Sequence, residues 1–287
     1  MKRVLIVGAN SYIGTSFERY VQDRLDVATV SSFDNKWRSI DYSGFDCIVY
    51  VAGIAHRKQA KKNKDTYFLV NRDLAFAVAQ KAKVDGARQF IYISSMSVYG
   101  MKSGEITERT VPSPRTNDYY GLSKWRAEGL ISPLQSDDFR VTIIRPPMVY
   151  GPGCPGSFQA LIRIVKLSPI IPTMKNKRSM IFIDNLAELL ALTIEEPVMG
   201  VICPQNSEYV CTSAMMDEIA IAFGKQRLQL PAVNVLIKLF IPICPPLQKA
   251  FGNLYYSNDT SASPLIRNNN IVGFADSIKK SIISSLV

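Results

Sequence analysis

Short apolar, β-favouring runs recur along the first half of the chain, at residues 4–7, 27–30, 47–52, 89–93 and 141–144. They are continuous rather than alternating and too short for helices, the pattern of strands covered on both faces. Between them lie helical patterns, clearest over 68–84, where Leu69, Val70, Leu74, Ala77, Val78 and Ala82 recur at helical spacing. Strand and helix alternating over about 145 residues predict the α/β class and a doubly wound parallel sheet, with its ligand site at the carboxyl ends of the strands. The first domain is read as residues 1–150.

Beyond Gly151-Pro152-Gly153 the pattern loosens. It predicts a helix near 157–166, a short strand at 180–183 and a helix from Leu186. Residues 151–287 read as a smaller α/β substrate-binding region, with 186–205 returning to the main sheet as a helix and a strand. Residues 228–247 are apolar but contain Lys238, Pro231, Pro242, Pro245 and Pro246. Those prolines exclude one continuous helix, and the stretch reads as a core or lid segment in preference to a membrane-surface helix.

The 47% hydrophobic content is enough for a sizeable core. Cys47, Cys154, Cys203, Cys211 and Cys244 have no paired spacing, and His56 is the single histidine. This excludes a zinc site built on regular ligand spacing and indicates reduced thiols in a cytoplasmic protein. The apolar run after Met1-Lys2-Arg3 breaks at Gly8, which suits a first strand better than a secretory signal. No stretch is long and clean enough to span a bilayer. The net charge of +10 suits an anionic partner. Its densest run, Arg57 to Lys64, has no interleaved aromatics and reads as a solvated face, not a nucleic-acid stripe.

Candidate chemistry begins at Gly8-Ala9-Asn10-Ser11-Tyr12-Ile13-Gly14, which follows a predicted strand and opens a predicted helix. Backbone N–H groups and the helix dipole in that setting bind a pyrophosphate. Asn10 tolerates unusual backbone angles. At the end of the second strand stand Ser31 and Ser32, where an enzyme selecting the unphosphorylated nicotinamide cofactor usually carries an acid. Asp34 comes late, and Lys36 and Arg38 are near enough to meet a 2′-phosphate, so NADP(H) is weakly favoured over NAD.

Tyr120 and Lys124 share one helix face, which lets the ammonium stabilise a phenolate and makes the tyrosine an acid/base near neutral pH. With 13 tyrosines and 34 lysines and arginines the spacing arises about once or twice by chance. Its neighbours give it weight. The glycine turn, Val51-Ala52-Gly53, Asn71, Ser94 to Gly100, Tyr120 to Lys124 with Glu128, and Arg145-Pro146-Pro147-Met148-Val149-Tyr150-Gly151 together resemble the extended short-chain dehydrogenase/reductase family. Within it the chain is most similar to nucleotide-sugar epimerases and reductases of the UDP-galactose 4-epimerase type, over roughly residues 4 to 186.

That resemblance implies a Rossmann domain holding a nicotinamide cofactor. It places Asp41-Tyr42 beside adenine, and Val51, Ala52, Gly53, Asn71 and Pro147 along the cofactor. Ser11 stands where the family has its middle glycine, and either displaces the pyrophosphate slightly or offers its hydroxyl. Tyr120 would exchange a proton with the C4 hydroxyl of the sugar, Ser95 would bond the same oxygen, and Lys124 would hold the nicotinamide ribose and depress the Tyr120 pKa. Substrate contacts fall on Ser95, Met96, Met148, Ser157, Arg178 and Lys249, with Arg178 the best candidate for a diphosphate clamp and Lys249 a weaker second.

Two departures narrow the chemistry. The family's dehydratases carry Asp-Glu after the serine, whereas Met96-Ser97 cannot expel water, and Met148 replaces an asparagine that touches UDP in epimerases. The expected activity is therefore C4 epimerisation of a UDP-hexose or UDP-N-acetylhexosamine for polysaccharide precursors. NADPH-dependent 4-keto-sugar reduction and a non-catalytic NAD(P)-binding regulator are the alternatives. Homodimers are common in the resembling family. His56 reads as a loop residue, since Tyr120 already supplies the acid/base.

Overall fold

The structure is a computed structural model, and it describes residues 1–55, 63–226, 228–260 and 271–283. His56 and most of the basic run from Arg57 lie outside the described residues. The first strand, β1 (Arg3–Val7), leads into helix α1 (Tyr12–Tyr20), followed by β2 (Asp26–Val30), a short α2 (Lys36–Ser39) and β3 (Cys47–Tyr50). Next come α3 (Lys64–Phe68), α4 (Ala75–Val84), β4 (Gln89–Ile93), β5 (Gly104–Ile106), α5 (Tyr119–Ile131) and β6 (Arg140–Ile144). Strands β1, β2, β3, β4 and β6 pair only in parallel, in the order β6-β4-β3-β1-β2. The carboxyl ends of all five thus open on one edge, as the alternating pattern predicts. Their apolar runs are enclosed by two cores, one on each face of the sheet.

The remainder comprises β7 (Met148–Tyr150), α6 (Ser157–Leu167), β8 (Ile170–Ile171), β9 (Met180–Phe182), α7 (Ile183–Glu195), β10 (Gly200–Ile202), α8 (Thr212–Ala222), β11 (Leu228–Gln229), α9 (Pro231–Phe240), α10 (Pro245–Phe251), β12 (Leu254–Tyr256) and α11 (Phe274–Ile283). Strand β10 pairs with β6 and completes a six-stranded sheet, while α7 covers α1 and closes one of the two main cores. Arg24 ties α7 down by ion pairs to Glu188 at 2.7 Å and Glu195 at 2.5 Å. Two-stranded parallel pairs β7/β9 and β8/β11 belong to the second region with its third core, while β5/β12 packs in a separate small core with Met96 and Tyr99.

Two elements differ from the sequence pattern. The helix expected over 68–84 is interrupted at Leu69–Leu74 by a π-helical turn. Wider hydrogen bonding there leaves carbonyls open, and buried hydroxyls from the sheet take them: Tyr50 donates to Val70 O at 2.8 Å and Tyr92 to Asn71 O at 2.8 Å. The stretch from 228 to 247 is not simply core or lid. Ile237 and Ile241 pack against the third core, but the opposite face of α9 is exposed.

Candidate active site

The cofactor side is built on β1. Gly8 has φ +129° and a Cβ there would lie 2.7 Å from Ala52 N, so only glycine lets the chain turn against the end of β3. Asn10 follows in the left-handed region at φ 65°. Ser11 turns back as the N-cap of α1, its Oγ accepting from Gly14 N at 3.2 Å. A Cβ on Gly14 would come 2.6 Å from that Oγ, so the two residues fit as a pair. The Ser11 side chain therefore folds along the helix and keeps its hydroxyl proton to donate. The amides of Tyr12 and Ile13, in the first turn, have no intrahelical acceptor and sit at the positive end of the dipole. The Tyr12 hydroxyl is buried without a hydrogen-bond partner among the described residues and lies beside Gly151. Such an orphaned group, together with the open amides, fits a polar ligand spanning the turn.

At the end of β2, Ser31 Oγ accepts from Phe33 N at 3.1 Å, and no carboxylate occupies that position. Lys36 pairs loosely with Asp34 at 3.6 Å, and Arg38 stacks on Trp37, its guanidinium carbon 4.6 Å from the ring centre. Of the Asp41-Tyr42 pair, Asp41 is exposed and Tyr42 is turned into the core. The Tyr42 ring is fully enclosed, its hydroxyl donates to Trp37 O at 2.9 Å and its N–H to Asp85 Oδ2 at 3.0 Å. Asp41 spends its carboxylate on the Ser43 N–H and hydroxyl, both at 2.9 Å. A short polar residue followed by an aromatic here makes a turn and a core contact.

Asn71, carried inward by the π-helical turn, is fully buried. Its Oδ1 accepts from Ile54 N at 2.9 Å and its Nδ2 donates to Ser123 Oγ at 3.0 Å, tying the segment after β3 to α5. Gly53 is held close to that network, since a Cβ there would sit 3.2 Å from Lys124 Nζ. Val51 and Ala52 are buried, and their N–H groups continue the ladder to Val7 O. Pro147 is buried between β6 and β7.

Asp118 caps α5 by accepting from Gly121 N at 3.1 Å. Gly121 allows the first turn to press on the 3₁₀ turn Met96–Tyr99, where a Cβ would fall 2.6 Å from Ser97 O. This contact brings the Ser95 hydroxyl, whose Oγ accepts from Ser97 N at 3.1 Å, near enough to Tyr120 to favour its ionised form. Lys124 is buried one turn on, its Nζ donating to Ile93 O at 2.7 Å and lying 4.8 Å from the centre of the Tyr92 ring.

The electrostatics depart from the expected lowered phenol. Burial raises the Tyr120 pKa, and the Ser95 hydroxyl only partly opposes it. Burial also pulls the Lys124 pKa down to about 7, against the opposing pull of Glu128. A half-charged lysine is a weak stabiliser of phenolate, so the ligand-free pocket favours the neutral tyrosine. In the unfolded chain Lys124 keeps its ordinary higher pKa, so between pH 7 and about 10 the unfolded state binds more protons and stability rises with pH. The ligand-free protein should therefore gain thermal stability over that window. Lys124→Met should flatten the rise, as measured by melting curves of both proteins across the pH series.

Glu128 and Arg145 form a part of the site to which sequence reasoning assigned no role. Arg145 forks onto the carboxylate, NH2 to Oε2 at 2.6 Å and Nε to Oε1 at 3.1 Å, while Ser94 Oγ also bonds Oε1. Arg145 donates further to Tyr99 OH at 2.9 Å, and its carbonyl accepts from Tyr256 OH at 2.8 Å. Glu128 at the fourth position after Lys124 was the available signal, since it repeats the helix spacing onto the same face.

On the substrate side, Arg178 is 9% exposed, burial lowers its pKa, and NH1 donates to Gly252 O at 3.0 Å. Among the described residues no carboxylate pairs with it, unlike Arg24 and Arg145. Met96 packs with Val98, Tyr99, Ile106, Cys203 and Tyr256 in a small core and is 9% exposed. Met148 is half-buried at the start of β7, Ser157 is exposed at the first position of α6, and Lys249 is exposed in the last turn of α10 with no ion pair among the described residues.

A glycine turn at β1 and a Ser-Tyr-Lys set at β4 and α5, all on the carboxyl edge of a parallel sheet, define a nicotinamide-dependent short-chain dehydrogenase/reductase. The chain belongs to the NAD dependent epimerase/dehydratase family, whose model matches residues 4–202. It is 30% identical over 268 residues to a UDP-glucose 4-epimerase of Vibrio cholerae, covering 83% of this chain and 81% of that protein. In fold it is similar to a UDP-glucuronic acid 4-epimerase from Bacillus cereus, solved with NAD, at TM-score 0.75 and 19% identity over 98% of this chain and 96% of the other. A dTDP-4-dehydrorhamnose reductase from Bacillus anthracis, solved with NADP, superposes at TM-score 0.69 with 19% identity over 99% and 100%. The family assignment makes this chain an NAD(P)-dependent enzyme.

Proposed function

We propose that the protein interconverts C4 epimers of a UDP-hexose or UDP-N-acetylhexosamine. The observation that carries this is Arg178, a buried guanidinium with no carboxylate partner among the described residues, in a chain that also carries Ser95 and Tyr120 at the carboxyl edge of the sheet. A buried cation is costly unless an anion joins it, and a diphosphate accepts the fork of an arginine. The similarity to the Vibrio cholerae UDP-glucose 4-epimerase supports the same substrate class.

The residues divide the work. The Gly8–Gly14 turn would hold the cofactor's pyrophosphate through the α1 amides, and Lys124, in a segment tied together by Asn71, would hold its ribose. Bound NAD supplies the hydride acceptor and donor. Tyr120 takes the proton of the C4 hydroxyl and returns it, Ser95 orients that oxygen, and Lys124, buried one helical turn on, would bond the cofactor's ribose. Met96-Ser97 in place of an acid–base pair leaves no group to expel water, which separates the activity from dehydration.

The test is to incubate pure protein, with no added reductant, with UDP-glucose, UDP-galactose and their N-acetyl forms, and to separate the products by chromatography. Interconversion of one pair is expected. Inertness toward all four, with turnover of a 4-keto sugar once NADPH is added, would replace epimerisation by reduction. The absence of an acid at Ser31 is the observation that favours this second activity.

A further inference from the structure

Helix α9 is apolar on both faces. Asn234 on the inner side accepts from Thr173 N at 2.9 Å, and Ile237 and Ile241 join the third core. On the outer side Val235 is 69% exposed, Leu236 58%, Leu239 68%, Phe240 46% and, in the following turn, Ile243 74%. Positions 235, 236, 239, 240 and 243 fall on one helical face, so these side chains make one crest. The β8/β11 pair, through Leu228 N to Pro169 O at 3.0 Å, adds the exposed Leu228 and Leu167 at the same end of the molecule. Contiguous exposed apolar surface of this kind marks a docking face.

Charge identifies the occupant. Between Glu218 and Asp259 the sequence contains no further acidic residue and four basic ones, Lys225, Arg227, Lys238 and Lys249. Lys225, Lys238 and Lys249 are exposed, and Lys238 lies on the flank of α9 beside the crest. A two-fold contact between copies would set these cations against each other, which is unfavourable. An anionic bilayer offers both halves of the match, hydrocarbon for the crest and phosphate for its basic rim.

We propose that the outer face of α9 is a peripheral docking surface for anionic phospholipid membranes. Its apolar crest enters the headgroup boundary and the lysines engage lipid phosphate, while the carboxyl edge of the main sheet stays in water. The inference is independent of the sugar-nucleotide assignment.

Vesicles of phosphatidylcholine alone and of phosphatidylcholine with about 30% phosphatidylglycerol provide the test, read by co-sedimentation of the full chain. The mixed vesicles should bind at least about tenfold more tightly than the neutral ones, and high salt should weaken that binding. Lys238→Gln should cost about fivefold, and the double variant Leu239→Ser, Ile243→Ser at least about tenfold. Because these side chains are exposed, both variants should retain the wild-type circular dichroism and cofactor binding. Equal binding to both vesicle types, or variants that bind as well as the wild type, would overturn the proposal. So would a wild-type dimer in sedimentation velocity that the double variant dissolves, which would assign the face to a second copy.

Discussion

Tyr120→Phe is expected to lower turnover about a thousandfold, the usual weight of a positioned acid/base, while the variant still folds and still binds its cofactor. The phenyl ring keeps the volume that packs at the start of α5, and of the groups that shape the phenol's ionisation only burial outweighs the Ser95 hydroxyl. Removing the hydroxyl therefore deletes the proton path and little else. Because burial raises the phenol pKa, residual activity of Tyr120→Phe should lack the alkaline rise that the wild type shows as its phenol ionises. The check is a pH–rate profile of both proteins beside a titration of cofactor binding. A variant that binds cofactor and leaves every assayed reaction unchanged would instead make this a cofactor-binding regulator.

Arg178→Leu should raise KM about a hundredfold with a smaller loss in kcat, since a charge-assisted fork to phosphate contributes roughly 1.5–3 kcal/mol. Its effect on stability should have the unusual sign. A buried guanidinium lacking a carboxylate carries an uncompensated desolvation cost in the ligand-free protein, and leucine relieves it. Gly252 O loses one donor but keeps Asn176 Nδ2 at 3.4 Å. The ligand-free variant should thus melt no lower than the wild type, and UDP should stabilise the wild type but not the variant. A fall of several degrees without ligand, with KM unchanged, would make Arg178 a structural residue that braces the loop at Gly252. Lys in its place should recover only part of the affinity, because an ammonium cannot fork.

The alternating apolar runs predict the parallel sheet because a strand covered on both faces has no polar position to interrupt it. The Gly8–Gly14 turn is equally legible, since Gly8 at φ +129° against Ala52 is a backbone requirement that a short window displays. Tyr120, Lys124 and Glu128 are visible as a spacing on one helix. Other assignments depended on packing that no window contains. That Asp85, forty-odd positions on, takes the Tyr42 amide is not visible beside Asp41-Tyr42. Nor does the motif around Met96 show that the residue packs in a core with Cys203 and Tyr256.

By itself the sequence determined where strands and helices lie, which turn accepts only glycine, and which residue types share a helix face, because these follow from local periodicity and backbone sterics. Tertiary structure alone decided the charge states and exposures. Lys124 falls to a pKa near 7 because the Ile93 carbonyl, the Tyr92 ring and Gly53 enclose it. Arg145 reaches Glu128 only because β6 runs beside β4. The apolar residues of α9 divide into a buried and an exposed face only once the third core has taken one of them. Desolvation, pairing and burial depend on distances between segments far apart in the chain, and folding is what sets those distances.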